Sequence, residues 1–256
     1  MNSILKTYKT IYKQIENRLS ENFHFIIPLI SGFLLMLIVR SFLAILDTIF
    51  IQEEFPFQRI IFIFSTGLLI TGVEIGYTKL IFEKIDNQNR NISFIFNNFN
   101  LLGKYLIGLI LFYFIVFLTF IPGIIYIFIK YGIDFFDVLG NAILDPFFQE
   151  LASSYFNLTE LSFIIILFSI PTIYITLRLF FWSYWIIDKN LNGLEAIKRS
   201  WHITNNKTTE IVIFSLGLLF FNFLGALLII GICITIPISY LFICLYFRFL
   251  ISNNHK

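Results

Sequence analysis

The chain has 256 residues, 58% hydrophobic, 19% aromatic and 13% charged, with a formal net charge of +2. Soluble domains carry about 25% charged residues. Roughly half that share, with a mean hydropathy of +0.84 and long apolar runs, excludes an ordinary soluble domain and marks an integral membrane protein. So few cations also exclude nucleic acid as an expected partner, and no cofactor is expected.

Residues 1–24 are expected to form a cytoplasmic amphipathic helix. Ile4, Tyr8, Ile11, Ile15 and Leu19 make its apolar stripe, with Lys6, Lys9, Lys13 and Arg18 around it. That arrangement suits an anionic inner leaflet. The segment does not read as a secretory signal, because its polar part is long, the following apolar run is too long, and no small-residue cleavage site follows.

Residues 25–250 form the membrane domain, and 251–256 a cytoplasmic tail. Six spans are expected at about 25–51, 59–83, 104–130, 161–187, 210–231 and 233–250, each near or above the roughly 20 residues a crossing needs. The last two should form a tight hairpin around Gly231. Pro122, Pro171 and Pro237 sit inside runs, where proline is tolerated and kinks a helix. Cys233 and Cys244 share the last run, roughly 16 Å apart along a helix axis, too far for a disulfide. The fold class is therefore all-α: a polytopic membrane helix bundle with six transmembrane helices and amphipathic surface helices.

Lys and Arg set the orientation. The N-terminal segment, the 79–104 link (Lys79, Lys84, Arg90, Lys104), the 188–207 link (Lys189, Lys198, Arg199, Lys207) and the C-terminal end (Arg248, Lys256) fall on one side of a six-span chain. Only Arg59 and Lys130 fall on the other. Both termini are expected in the cytoplasm of a multi-pass protein of the cell inner membrane. The 131–160 loop is then external. Its Asp134, Asp137, Asn141 and Asp145 recur at helical spacing and predict an interfacial helix with an acidic outward face, or else a cation-attracting vestibule. Their spacing does not fit a calcium loop.

A weak internal repeat relates two links. Ile85-Asp86 and Ile187-Asp188 are 102 residues apart, and at the same offset Ile92 matches Leu194, Ile95 matches Ile197 and Phe99 matches Trp201. The unit is a span, a surface helix and a second span. In the second copy, Leu194, Ile197 and Trp201 recur at i, i+3 and i+7 and are expected on one apolar face, with Lys198 and Arg199 beside it: a membrane-surface helix. Asn192 and Glu195 have capping-box spacing, and Glu195 with Arg199 is a favourable i,i+4 pair.

The run Asp188-Lys189-Asn190 followed by Gly193-Leu194-Glu195-Ala196-Ile197-Lys198-Arg199-Ser200-Trp201, together with Ile121-Pro122-Gly123, resembles an element of uncharacterised bacterial six-helix membrane proteins. That group includes the membrane domain attached to some glycerophosphoryl diester phosphodiesterases. The chain departs from it at Asn205-Asn206, where the group often has Lys-Gly. The resemblance implies a membrane location and a six-helix plan, but not the phosphodiesterase activity.

Charges inside the spans are the pointers to function. Arg40, Glu74 and Arg178 lie within spans one, two and four, and an unpaired charge there costs at least about 2.5–3.5 kcal/mol on insertion scales. Glu74 is expected to pair with Arg178 or with Arg40, either as a clamp or along a substrate pathway. Catalytic signatures are nearly absent. His24, His202 and His255 are scattered, without zinc-ligand spacing, and no nucleophile elbow or P-loop occurs. The sequence is thus read as a non-enzymatic envelope or accessory membrane protein, with the lipid bilayer and a protein partner or second copy as its partners. The alternative is a small-molecule or ion transporter or channel using Arg40, Glu74 and Arg178. A lipid-active enzyme is suggested only through the phosphodiesterase-linked relatives.

Overall fold

The computed structural model describes residues 26–50, 56–132, 158–228 and 231–254. The N-terminal amphipathic stripe and the acidic stretch from Asp134 to Asp145 lie outside the described residues. Within them every regular element is helical: α1 (Ile26–Phe50), α2 (Pro56–Ile85), a 3₁₀ helix (Ile92–Leu101), α3 (Leu102–Tyr131), α4 (Leu158–Arg178), α5 (Trp182–Lys189), α6 (Gly193–Ile203), α7 (Thr208–Leu227) and α8 (Ile232–Asn254). Six stretches are long and apolar enough to cross a membrane: Ile26–Leu46, Ile60–Ile85, Ile92–Tyr131, Ser162–Lys189, Thr208–Leu227 and Ile232–Asn253. Large apolar side chains such as Ile38, Phe64, Ile129 and Leu219 stand outward on them. Water would not tolerate so much exposed apolar surface, and a bilayer does. The chain is an all-α, multi-pass membrane protein.

It folds as two compact units. The first comprises Met1–Gly108 with Phe181–Lys256, the second Leu109–Phe180. In the first, α2 is the central element, packed by α1, α8, α5 and the 3₁₀ helix. The 3₁₀ helix comes so close that a Cβ on Gly76 would overlap the Ile95 carbonyl oxygen, so only glycine fits there. Tyr77 of α2 donates through its hydroxyl to Leu29 O of α1 at 3.2 Å, which satisfies a buried phenol. Around the far end of α2, aromatic rings interlock. Phe247 meets Trp185 at 5.2 Å, Phe181 at 5.7 Å and Phe82 at 5.9 Å between centroids, and Phe214 meets Tyr246 at 4.4 Å. The turn from α7 to α8 passes through Gly231, which lies against the backbone of Gly225.

The second unit pairs the remainder of α3 with α4. The Thr119 and Thr172 hydroxyls share a hydrogen bond of 2.7 Å, each next to the stretch that carries Pro122 or Pro171. Both prolines are inside continuous helices.

Two details differ from the expectations. The fourth span is interrupted between α4 and α5. The Phe181 N–H leaves the helical ladder and donates to Ser200 Oγ at 3.1 Å, and Phe181 takes φ −101°, ψ 10°. A hydroxyl from α6 thus replaces the carbonyl a continuous helix would have used. The capping box at the start of α6 does not form either. Asn192 has extended backbone and makes no side-chain cap, while Glu195 is taken up by Arg199 at 2.8 Å. An ion pair holds the carboxylate more strongly than a backbone N–H does.

Asparagine stops several of these helices. Asn87, Asn190 and Asn206 all have φ between 55° and 58°, the left-handed region that asparagine tolerates better than other side chains. Asn206 thus adopts a conformation that glycine supplies most readily.

Candidate functional site

Arg40 and Glu74 meet between α1 and α2. Arg40 Nη2 lies 3.0 Å from Glu74 Oε1, with side chains 54% and 33% exposed. At a rise of 1.5 Å per residue, Arg40 sits about 21 Å from the Ile26 end of α1 and Glu74 about 16 Å from the Ile85 end of α2. Both positions are well inside stretches long and apolar enough to cross a membrane. Tyr240 of α8 is close enough to interact electrostatically with both charges. Beside the pair, α1 and α2 separate around a cavity of about 550 Å³ whose wall includes Arg40. Arg178 ends α4 in the second unit and is buried. The pairing of Glu74 with Arg40 is one of the two expected from the sequence.

The ends of α2, α5 and α8 carry a second charged group. Arg248 Nη2 lies 2.6 Å from Asp188 Oδ1 and 2.9 Å from Asp86 Oδ2, and the guanidinium stacks over Phe82 at 5.4 Å. Asp188 is 2% exposed and Asp86 49%. Lys189 Nζ approaches Asp188 Oδ2 at 3.3 Å, and Lys79 donates to the Asp188 carbonyl at 3.4 Å. Lys104, at the start of α3, donates to Asn190 O at 3.0 Å and Oδ1 at 2.7 Å. Three basic segments, the 79–104 link, the 188–207 link and the end of α8, thus converge at one end of the first unit. Sequence reasoning counted Arg248 only as a cation for orientation. The signal was available in the repeat, because Asp86 and Asp188 are its paired carboxylates and a single arginine bridges them.

The surface helix α6 carries the third candidate. Ile197 faces inward at 6% exposure, whereas Leu194 and Trp201 point outward at 54% and 42%. The three were expected on one apolar face. They divide because Ile197 lies about 60° around the helix from Leu194, enough to turn it into the core with Ala196, Ser200 and Ile203. Lys198 falls between the two outward apolar side chains, and it too is exposed. Arg199 stacks over Trp185 at 5.4 Å. A Cβ at Gly193 would run into the backbone of Gly108, so α6 starts hard against α3 and cannot roll to present another face.

Chemically, these groups can hold charge, bridge helices and meet a lipid surface. Among the described residues no cluster of three metal-ligating side chains occurs. No protein family, curated protein or solved structure matches the chain.

Proposed function

We propose that the protein is a non-enzymatic accessory protein of the cytoplasmic membrane, with both termini inside, that organises anionic lipid through the outward face of α6. The observation that carries this reading is Leu194 and Trp201 exposed on either side of Lys198. Exposed apolar and aromatic groups around a cation on a short helix between two spans suit the headgroup layer. The convergence of three basic segments at the same end supports placing that end on the inner, anionic leaflet. The resemblance of Gly193–Trp201 to six-helix membrane proteins implies the same location.

The test uses the full chain in vesicles containing brominated lipid. Trp182 and Trp185 are buried and Trp201 is exposed, so quenching by bromine near the headgroups reports on Trp201. Stronger quenching is expected from brominated phosphatidylglycerol than from brominated phosphatidylcholine. Trp201→Phe should remove it, and Lys198→Glu should remove the preference. Equal quenching by both lipids, or quenching that survives Trp201→Phe, would sink the proposal.

A transporter is the second reading, favoured by an ion pair of which Arg40 stays 54% exposed at membrane depth. In proteoliposomes it predicts that Glu74→Gln changes solute flux, and unchanged flux would count against it.

A further inference from the structure

A charge pair half open to hydrocarbon needs a second polar contact. Arg40 presents five N–H donors in a rigid fork, more than one carboxylate can accept, and its Nη2 lies 3.0 Å from Glu74 Oε1. Arg40 is also part of the wall of the cavity between α1 and α2. That cavity, about 550 Å³, is otherwise lined by the apolar Leu37, Leu43 and Ala44 of α1 and Ile63 and Ile70 of α2, with Ser41 and Thr66. Its size falls in the range of small-molecule sites, roughly 300–1,000 Å³.

The charge state selects the ligand. Arg40 and Glu74 together are neutral, so an anion entering the cavity would bring an uncompensated charge into the hydrocarbon. A purely apolar molecule would leave the guanidinium donors unmet. What fits both conditions is an uncharged molecule with an apolar body and an oxygen acceptor. We propose that this cleft is a lateral binding site for an uncharged apolar molecule carrying a carbonyl oxygen, which accepts hydrogen bonds from Arg40 while Glu74 balances the charge. A neutral glyceride ester and a quinone both present that chemistry. The site is separate from the α6 surface, and its failure would leave the lipid-surface proposal standing.

The experiment is equilibrium binding to the full chain in maltoside micelles, which contain no carbonyl competitor. The probes are monoolein, a decyl-substituted benzoquinone and, as the anionic comparison, decanoate. Saturable binding of at least one neutral probe at about one per chain is expected, with decanoate at least tenfold weaker. Ala44→Phe puts a ring into the cavity while leaving both charged residues in place, and Arg40→Gln removes the donors; each should weaken the neutral probe at least tenfold. If Arg40→Gln does not fold, Ala44→Phe decides alone. Binding of monoolein only assigns the site to glycerides, of the benzoquinone only to quinones, and of both to the carbonyl class as such. Failure of both neutral probes to saturate, binding unaffected by Ala44→Phe, or decanoate binding as tightly as they do would each overturn the proposal.

Discussion

The 3₁₀ helix that follows α2 and the α-helix α6 that follows α5 occupy equivalent places 102 residues apart, and they bury equivalent positions. Ile95 and Ile197, Asn98 and Ser200, and Leu101 and Ile203 are all buried. Yet the first element, short 3₁₀ turns joined across a kink at Asn98, buries Ile95, Asn98 and Leu101, and α6 also buries Gly193 and Ala196, the wider stripe of a 3.6-residue turn. The inward contacts are shared; local composition chooses the winding. Apart from its last residue, Leu101, Ile92–Leu101 is built of Asn, Phe, Ile and Ser, all modest helix formers, with Asn98 off helical geometry at φ −109°, ψ 16°. Gly193–Ile203 contains Leu, Glu, Ala, Lys and Arg, which favour the α-helix. Two segments can therefore keep one packing role while their backbones differ.

The two halves of this comparison can be separated by mutation. The largest effect is expected from Arg248→Met, which removes the cation shared by both repeat carboxylates and leaves the enclosed Asp188 with Lys189 alone. Because Asp188 is almost fully buried, the loss should be about 3 kcal/mol, read as unfolding free energy by denaturing-detergent titration. Next is Gly76→Ala, which pushes α2 off the 3₁₀ helix and should cost about 2–3 kcal/mol in the same titration. Gly103→Ala, where a Cβ meets open space, should cost nothing. A smaller and more discriminating contrast is Ser200→Ala against Asn98→Ala. Ser200 serves the Phe181 N–H on another element, so its loss orphans a buried donor at about 1–2 kcal/mol. Asn98 donates only to Phe94 O in its own turn, at 2.8 Å, and its loss should be under about 1 kcal/mol. Thermal unfolding of the two variants side by side would show whether the copies differ as drawn, and equal losses would contradict it. The smallest effect is expected for Asp86→Asn, since a half-exposed carboxylate contributes about 0–1 kcal/mol. A loss from it as large as that from Asp188→Asn would mean the two repeat ends are equally enclosed.

The six spans were legible because a bilayer demands about 20 apolar residues in a row, and that demand writes itself into composition. The pairing of Asp86 with Asp188 in the repeat was legible for the same local reason, as two similar strings in similar settings. What was not legible depended on residues far apart in the chain. The interruption after Arg178 is set by Ser200, whose hydroxyl takes a backbone donor 19 positions earlier. Glu74 had two arginines at matching depth, and depth carries no information about which way around a helix a side chain faces. The division of Leu194 and Trp201 from Ile197 had the same cause. A one-dimensional stripe at i, i+3 and i+7 spans enough arc to be split when a helix lies tangent to a core. The cavity beside Arg40 left no sequence signal, because it is a gap between side chains that are individually ordinary.

The bridge made by Arg248 has a consequence in time. Its partners lie 162 and 60 residues earlier in the chain. At about 5–20 residues per second of synthesis, Asp86 waits roughly 8–30 s for its arginine to be made and Asp188 roughly 3–12 s. The carboxylate that waits longer is the one that ends half in solvent, where waiting costs little. The one that ends enclosed waits least, and it does so beside Lys189, a neighbour synthesised immediately after it. The order of translation and the depth of burial thus run in the same direction, and both ends of the repeat depend on one residue of the last helix.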